Sequence, residues 1–232
     1  MSSTVLSQAL VCASLSLVGT AVLARESPPA LSCETAKVER TTLGQAPKGA
    51  RRVGKHVLEV VTEKGAKRFI DKPPHQEGDM GGLHWRYCGF NAQAKAHLIE
   101  RRDESSYSGD LLFHETGRLA HAGHTVLFSP SKREFLAIEQ EDGVDGEDWV
   151  VYAADGKAKW KGYAGTIAKT DGIDTVVSTL DQPRWTKHGE LTARFVCASS
   201  KILGVVRLAQ SPSGDWSWRG HAKCLEHDGR LK

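Results

Sequence analysis

Three of the ten histidines, His114, His121 and His124, lie close together in the sequence and could supply ligands for a metal ion. Imidazole is a common ligand of zinc and other transition metals. Side chains alternate in direction along a strand, however, so His121 and His124 would point to opposite faces of one strand. His114 lies across the turn at Thr116-Gly117 and could approach His121 only diagonally. We therefore expect surface histidines, weak metal candidates at best, and no cofactor.

A second group of chemically active residues is the acidic segment 139–148, which carries six carboxylates in ten residues. Calcium takes about six to eight oxygen ligands, but the spacing here does not match the calcium loop of an EF-hand. We expect a solvated loop that faces a partner, since complementary charge speeds the encounter with a basic protein. The candidate partner-binding residues of this loop are Asp142, Asp145, Glu147 and Asp148.

Tryptophan is the third group, with six residues in the chain. Trp216 and Trp218 are two positions apart and so share one face of a strand. Two such indoles could stack on a sugar or anchor a protein interface. For Trp149 and Trp160 we expect packing inside the core.

Catalytic motifs are not evident. The sequence contains no G-x-S-x-G nucleophile elbow and no phosphate-binding glycine loop. Ser108-Gly109-Asp110 lies near His114, but serine, acid and histidine often occur together by chance in a polar hairpin. The net charge of +3 and the dispersed basic residues do not indicate nucleic-acid binding. We expect a protein without catalytic residues.

The N-terminus predicts export. Residues 1–24 carry no charged side chain. An apolar run extends from Leu10 to Leu23, and the small residues Ala21 and Ala24 stand at its end, in Ala21-Val22-Leu23-Ala24. This is the pattern of a signal peptide cleaved after Ala24, and the run is shorter than the roughly 20 residues of a membrane span. We expect a periplasmic or secreted protein with no stable membrane span once the signal is removed.

Four cysteines remain after such cleavage, an even number that favours two disulfides in an exported chain. No pair of them has the spacing of a zinc knuckle. Three pairings are open, and proximity in the sequence favours Cys33–Cys88 with Cys197–Cys224.

An internal repeat defines the architecture. Residues 94–123 align without a gap on residues 133–162, at an offset of 39. A period of this length marks repeated supersecondary units. In the second copy we predict four strands, namely His124–Phe128, Glu134–Gln140, Asp148–Ala153 and Lys157–Lys161. The third is apolar on both faces, so it is expected to be central.

Other segments extend this pattern. Residues 57–61 and 66–70 predict a hairpin with a glycine at its turn, and a faint third copy includes residues 195–198 and 205–208. We divide the chain into a signal peptide (1–24), a lead-in segment (25–52) and a single repeat-built β domain (53–232).

The segment 128–138, FSPSKREFLAI, resembles the turn and second strand of WD40-like repeats of the TolB type. Gly156-Lys157 and Trp160-Lys161-Gly162 are similar to the end of such a blade. Ser131-Lys132 stands where that family usually has Asp-Gly. The resemblance covers about half of the mature chain and implies a propeller-like arrangement. With three units and one hairpin, a four-bladed closure, an open stack of hairpins and a β-sandwich are all compatible with the pattern.

The sequence thus predicts an all-β fold of antiparallel hairpin repeats of about 39–40 residues, stabilised by disulfides. The favoured function is a non-catalytic module of the bacterial cell envelope that binds another protein, as an inhibitor or immunity protein does. Two alternatives stay open: a peptidoglycan- or carbohydrate-binding protein with possible hydrolytic activity, and a metal-binding module.

Overall fold

We analysed the fold in a computed structural model that describes residues 30–34, 39–46, 49–74, 81–103, 106–139, 147–170, 173–198, 203–213 and 215–220. The predicted signal peptide lies outside these residues. Their secondary structure is almost entirely β. The elements in chain order are β1 (Ala30–Ser32), α1 (Glu39–Gln45), β2 (Ala50–Arg52), β3 (Val57–Thr62), β4 (Gly65–Ile70), β5 (Leu83–Asn91), β6 (Ala96–Asp103), β7 (Ser106–Phe113), β8 (Leu119–Ala122), β9 (Thr125–Phe128), β10 (Glu134–Glu139), β11 (Asp148–Ala153), β12 (Ala158–Tyr163), β13 (Gly165–Thr170), β14 (Ile173–Trp185), β15 (Leu191–Cys197), β16 (Leu203–Gln210) and β17 (Trp216–Arg219).

The strands form four antiparallel sheets that follow one another along the chain. The first sheet is β2-β3-β4, the second is β5-β6-β7-β8, the third is β9-β10-β11-β12 with β1 added beside β9, and the fourth is β13-β14-β15-β16-β17. The prediction of an all-β antiparallel fold is therefore confirmed.

Each copy of the 39-residue repeat forms one four-stranded meander. The first copy falls in the second sheet and the second copy in the third sheet. All four strands predicted for the second copy are present, with ends that differ by no more than a few residues. The glycines at two hairpin turns, Gly65 and Gly156, have φ values of 111° and 86°, a conformation that other residues adopt at a cost.

The fourth sheet does not keep the repeat. Its longest strand is β14, whose pairing with β15 is irregular between Asp181 and Arg184. Phe195, placed at the start of the faint third copy, lies in β15, the middle strand of five. The fourth sheet therefore differs from the repeated meanders in the length of β14, which has 13 residues, and in its order of five consecutive strands.

Three hydrophobic cores stack the sheets in chain order. One core joins the first and second sheets through residues such as Leu58 and Tyr87. Another joins the second and third sheets through Leu98 and Val150. The last joins the third and fourth sheets and includes Trp149.

Trp149 and Val150 are neighbours on β11 that enter different cores, which confirms that this strand is apolar and buried on both faces. None of the three cores in the described part of the chain joins the first sheet to the fourth. A closed propeller would require that contact. The structure therefore establishes stacked antiparallel sheets, and the propeller stays a prediction.

The lead-in segment is held against the repeats. Cys33, directly after β1, forms a disulfide with Cys88 on β5, which confirms the first predicted pairing. Cys197 is disulfide-bonded too, and its predicted partner Cys224 lies outside the described residues. Glu39 on α1 accepts hydrogen bonds from the Arg52 guanidinium and from the backbone N–H of Tyr87. No helix among the described residues is long and apolar enough to cross a membrane.

Candidate functional site

Five of the six tryptophans gather between the third and fourth sheets. Trp149 and Trp185 are buried within that core, whereas Trp160, Trp216 and Trp218 are partly buried and pack against it. Surface or interface tryptophan is enriched where proteins bind partners, because the indole offers a large rigid apolar face with one polar atom. This concentration makes the edge of the interface between the third and fourth sheets the main candidate for a binding site.

The alternation of β17 places two of these indoles on one face. Trp216 lies opposite Gln210 and Trp218 opposite Leu208 on the neighbouring strand β16. Both indoles lie on the same face of the strand, as predicted from their spacing, and both pack against the same core. They are partly covered, so the pair is a half-buried ridge at the sheet edge.

The rings hold one another in edge-to-face contact. The ring centroid of Trp218 lies 6.0 Å from that of Trp149, at an interplanar angle of 67°. It lies 5.7 Å from that of Trp160, at 87°. Pairs of this geometry contribute about 0.5–1.5 kcal/mol beyond the burial of their area. Three tryptophans from β11, β12 and β17 therefore form one rigid cluster across the two sheets.

Trp160 is held in this cluster by the close approach of its indole to the backbone of Gly162. Its indole lies over Gly162, two residues along β12, where an added Cβ would be 2.5 Å from the ring. The Nε1 atom of Trp218 is buried and has no hydrogen-bond partner within the described structure. Ring packing, rather than hydrogen bonding, therefore holds Trp218 in place.

The base of the acidic loop lies beside these rings. Trp149 donates its Nε1–H to the Glu147 carboxylate at 3.0 Å, and Asp148 forms an ion pair with Lys161 at 3.2 Å. Asp148 shares its strand face with Val150, so it lies on the side of the sheet opposite Trp149. Of the predicted partner-binding residues, the structure thus joins Glu147 to Trp218 through Trp149, and Trp216 lies on the same face of β17 as Trp218. Asp142 and Asp145 lie outside the described residues.

A cleft of about 230 Å³ opens next to this cluster, between the third and fourth sheets. Its apolar surface comes from both sheets, and its polar residues are few. The lining includes Val151, Trp185, Leu191, Leu208 and Trp216 on the apolar side, and Glu134, Glu190 and Gln210 on the polar side. Trp185 is fixed in the wall because its Nε1–H donates to the carbonyl of Leu127 at 2.9 Å.

Both carboxylates of the cleft belong to surface ion pairs. Glu134 pairs with Lys159, and Glu190 pairs with Arg207 at 2.9 Å. The side chains of Glu190 and Arg207 are 43% and 53% exposed. Exposed pairs of this kind contribute only about 0–1 kcal/mol, so an incoming charged group can exchange with them at little cost.

The three histidines proposed as weak metal candidates are not brought together. His114 Nδ1 lies 3.2 Å from Nε2 of His97, and His121 Nε2 lies 3.2 Å from the buried carboxylate of Glu139. His124 lies 3.4 Å from Glu34. His124 is buried, which corrects the expectation that all three lie on the surface. The described part of the chain contains no group of three or more residues with metal-binding geometry.

His97 is the titratable residue that the sequence analysis missed. It is fully buried, its Nδ1 lies 2.9 Å from the Tyr87 hydroxyl, and its Nε2 faces His114. Burial, and to a lesser extent the charge of His114, together lower the pKa of His97 to about 4. The repeat contained a signal for this position, because the offset of 39 aligns His97 with Leu136, an apolar residue that is also fully buried.

Asp110 and His121 are a pair of titratable residues that lies outside the cleft. They are direct cross-strand partners on β7 and β8. Burial raises the pKa of the Asp110 carboxyl, and the charges of His121 and Arg101 act in the opposite direction. The serine–acid–histidine group considered in the sequence is therefore divided, with Asp110 opposite His121 and His114 against His97.

In comparisons with known proteins, no family model, curated protein or solved structure matched this chain significantly. The resemblance to WD40-like repeats of the TolB type stays a prediction.

Proposed function

We propose that this chain is an exported, non-catalytic module of the bacterial cell envelope that binds another protein, in the manner of an inhibitor or immunity protein. The observation that carries the proposal is the group of half-buried indoles Trp160, Trp216 and Trp218 at the edge of one core, with the Glu147 carboxylate bound to the neighbouring Trp149. A rigid aromatic centre with charged residues at its margin is the usual composition of a protein interface.

Export is supported by two features. The predicted signal peptide occupies residues 1–24, and Cys33–Cys88 is a disulfide in the structure. Disulfides persist in oxidising compartments such as the bacterial periplasm. The proposed location is therefore the periplasm or the extracellular medium.

The test is cross-linked capture from an envelope extract with the purified protein as bait. We expect a specific partner that the wild type retains and that the variants Trp160→Ala and Trp218→Ala lose. The matched control is Val205→Ala, because Val205 is 57% exposed and belongs to none of the three cores. Far-UV circular dichroism establishes that each variant is folded. Equal capture by the tryptophan variants, or no specific partner of the wild type, would contradict the proposal.

A second candidate function is the binding of a cell-wall saccharide. The observation that favours it is the position of Trp216 in the cleft beside Glu190 and Gln210, because an indole face next to hydrogen-bonding groups suits a sugar ring. Retention on purified peptidoglycan that Trp216→Ala abolishes would support this candidate. Retention that is unchanged in Trp216→Ala would remove it.

A further inference from the structure

We propose that the cleft between the third and fourth sheets receives one aromatic side chain of the partner protein, flanked in the partner's sequence by lysine or arginine. This inference rests on the proposed protein-binding function and names the chemistry that would be recognised. The cleft is distinct from the cluster of Trp149, Trp160 and Trp218, because none of these three residues lines it.

The size of the cleft sets the size of the group. Its volume is about 230 Å³. Pockets for drug-sized ligands occupy about 300–1,000 Å³, so this one fits a single bulky side chain better than a larger molecule. An anchor residue that fills a small pocket is a common form of interface hot spot.

The lining sets the chemistry of that group. Val151, Leu191 and Leu208 provide an apolar surface, and Trp185 and Trp216 provide two indoles. Trp185 is held by its hydrogen bond to Leu127, so its ring is in place before a ligand arrives. Aromatic side chains favour offset or edge-on contact with such rings, which selects tyrosine or phenylalanine over a smaller aliphatic residue.

The charged residues at the margin of the cleft determine which residues of the partner should flank the aromatic anchor. Glu134 and Glu190 are the charged residues of the lining, and both are carboxylates. Their present partners, Lys159 and Arg207, are 40% and 53% exposed, so a partner's cation can join or replace them at little cost. A basic residue on either side of the anchor would therefore meet negative charge, which favours both the rate and the register of binding.

The experiment uses the full chain and three blocked tripeptides, Lys-Tyr-Lys, Lys-Ala-Lys and Glu-Tyr-Glu. Binding is followed by tryptophan fluorescence excited where tyrosine does not absorb. We expect a saturable change with Lys-Tyr-Lys at roughly millimolar affinity, since one anchor provides only a small part of an interface. Lys-Ala-Lys and Glu-Tyr-Glu should each bind about tenfold more weakly or not at all.

Variants locate the binding in the cleft. Trp216→Ala should abolish the response, and Glu190→Gln, which keeps the shape of a side chain that is 43% exposed, should weaken the affinity for Lys-Tyr-Lys several-fold. Val205→Ala should leave it unchanged. Equal affinity for the three peptides, or an unchanged affinity in Glu190→Gln, would overturn the inference.

Two further outcomes separate this inference from the proposed function. Capture of a protein partner that depends on Trp160 and Trp218, without any peptide response, would overturn the inference and leave the protein-binding function standing. A saturable response to oligomers of N-acetylglucosamine, which Trp216→Ala removes while no peptide binds, would overturn it in favour of a saccharide.

Discussion

The buried histidine His97 predicts a loss of stability in mild acid. Burial lowers its pKa in the folded protein from 6.5 to about 4. The unfolded chain therefore binds a proton at this residue below about pH 6.5, whereas the folded chain does not bind one until the pH approaches 4. Stability is fully present above pH 6.5 and is lost as the pH falls from 6.5 to 4.

The size of the effect follows from the width of that interval. One pKa unit corresponds to about 1.4 kcal/mol, so the whole interval corresponds to about 3 kcal/mol. By pH 4.5 the folded protein should have lost about 2.5 kcal/mol from this residue alone. The loss is a large fraction of the roughly 5–15 kcal/mol that stabilises a typical domain.

The variant that tests the contribution of His97 is His97→Leu, because the second repeat has Leu136 at the corresponding position. Leucine leaves the Tyr87 hydroxyl without the imidazole that faces it, which costs about 1–3 kcal/mol at every pH. It also removes the titration. The variant should therefore be less stable than the wild type at pH 7, and the difference should shrink or reverse by pH 4.5.

The assay is urea unfolding at pH 7, 6, 5 and 4.5, followed by tryptophan fluorescence with the disulfides kept oxidised. The control is His188→Gln, an exposed histidine in a turn, which should retain the pH dependence of the wild type. Other titrating groups, Asp110 among them, are common to all three proteins and cancel in the comparison. A difference in pH dependence between wild type and His97→Leu smaller than about 1 kcal/mol would refute the burial argument.

Two further predictions concern the lead-in segment and the tryptophan cluster. Replacing Cys33 and Cys88 by serine opens a link across 55 residues and should cost about 4 kcal/mol on the chain-entropy account, measured by denaturant unfolding of the double variant; an unchanged midpoint would contradict it. Gly162→Ala should push the Trp160 indole out of place and destabilise the protein by about 1–3 kcal/mol, with a changed near-UV circular dichroism spectrum. Gly204→Ala is its control, because nothing lies within 4 Å of the added Cβ, and equal effects of the two substitutions would contradict the packing argument.

Much of the local architecture could be predicted because strands and turns are encoded by neighbouring residues. The alternation of apolar residues, the turn glycines and the 39-residue offset identified the strands of the third sheet and the burial of β11 on both faces. The offset also aligned Glu100 with Glu139, and both carboxylates are buried at corresponding places on β6 and β10. Repetition showed that these positions correspond, whereas the burial of Glu139, which was expected in a solvated loop, was decided by the packing.

The candidate site was only partly predictable. The pairs Trp216/Trp218 and Glu147/Asp148 were proposed separately, as two unrelated surface features. Trp149 connects them, because it donates a hydrogen bond to Glu147 and packs against Trp218, 69 residues further along the chain. No local pattern carries information about a contact of that separation.

The sequence alone therefore determined the strands of the repeat and the all-β class, and it favoured the Cys33–Cys88 pairing among three, since each depends on period, turn chemistry or cysteine spacing. Only the tertiary structure decided which faces met. It placed five tryptophans at one interface, joined Glu147 to Trp149 and paired His97 with Tyr87 and His114. The physical reason is that stacking of sheets joins residues by shape and burial, and these are properties of whole faces rather than of neighbouring positions.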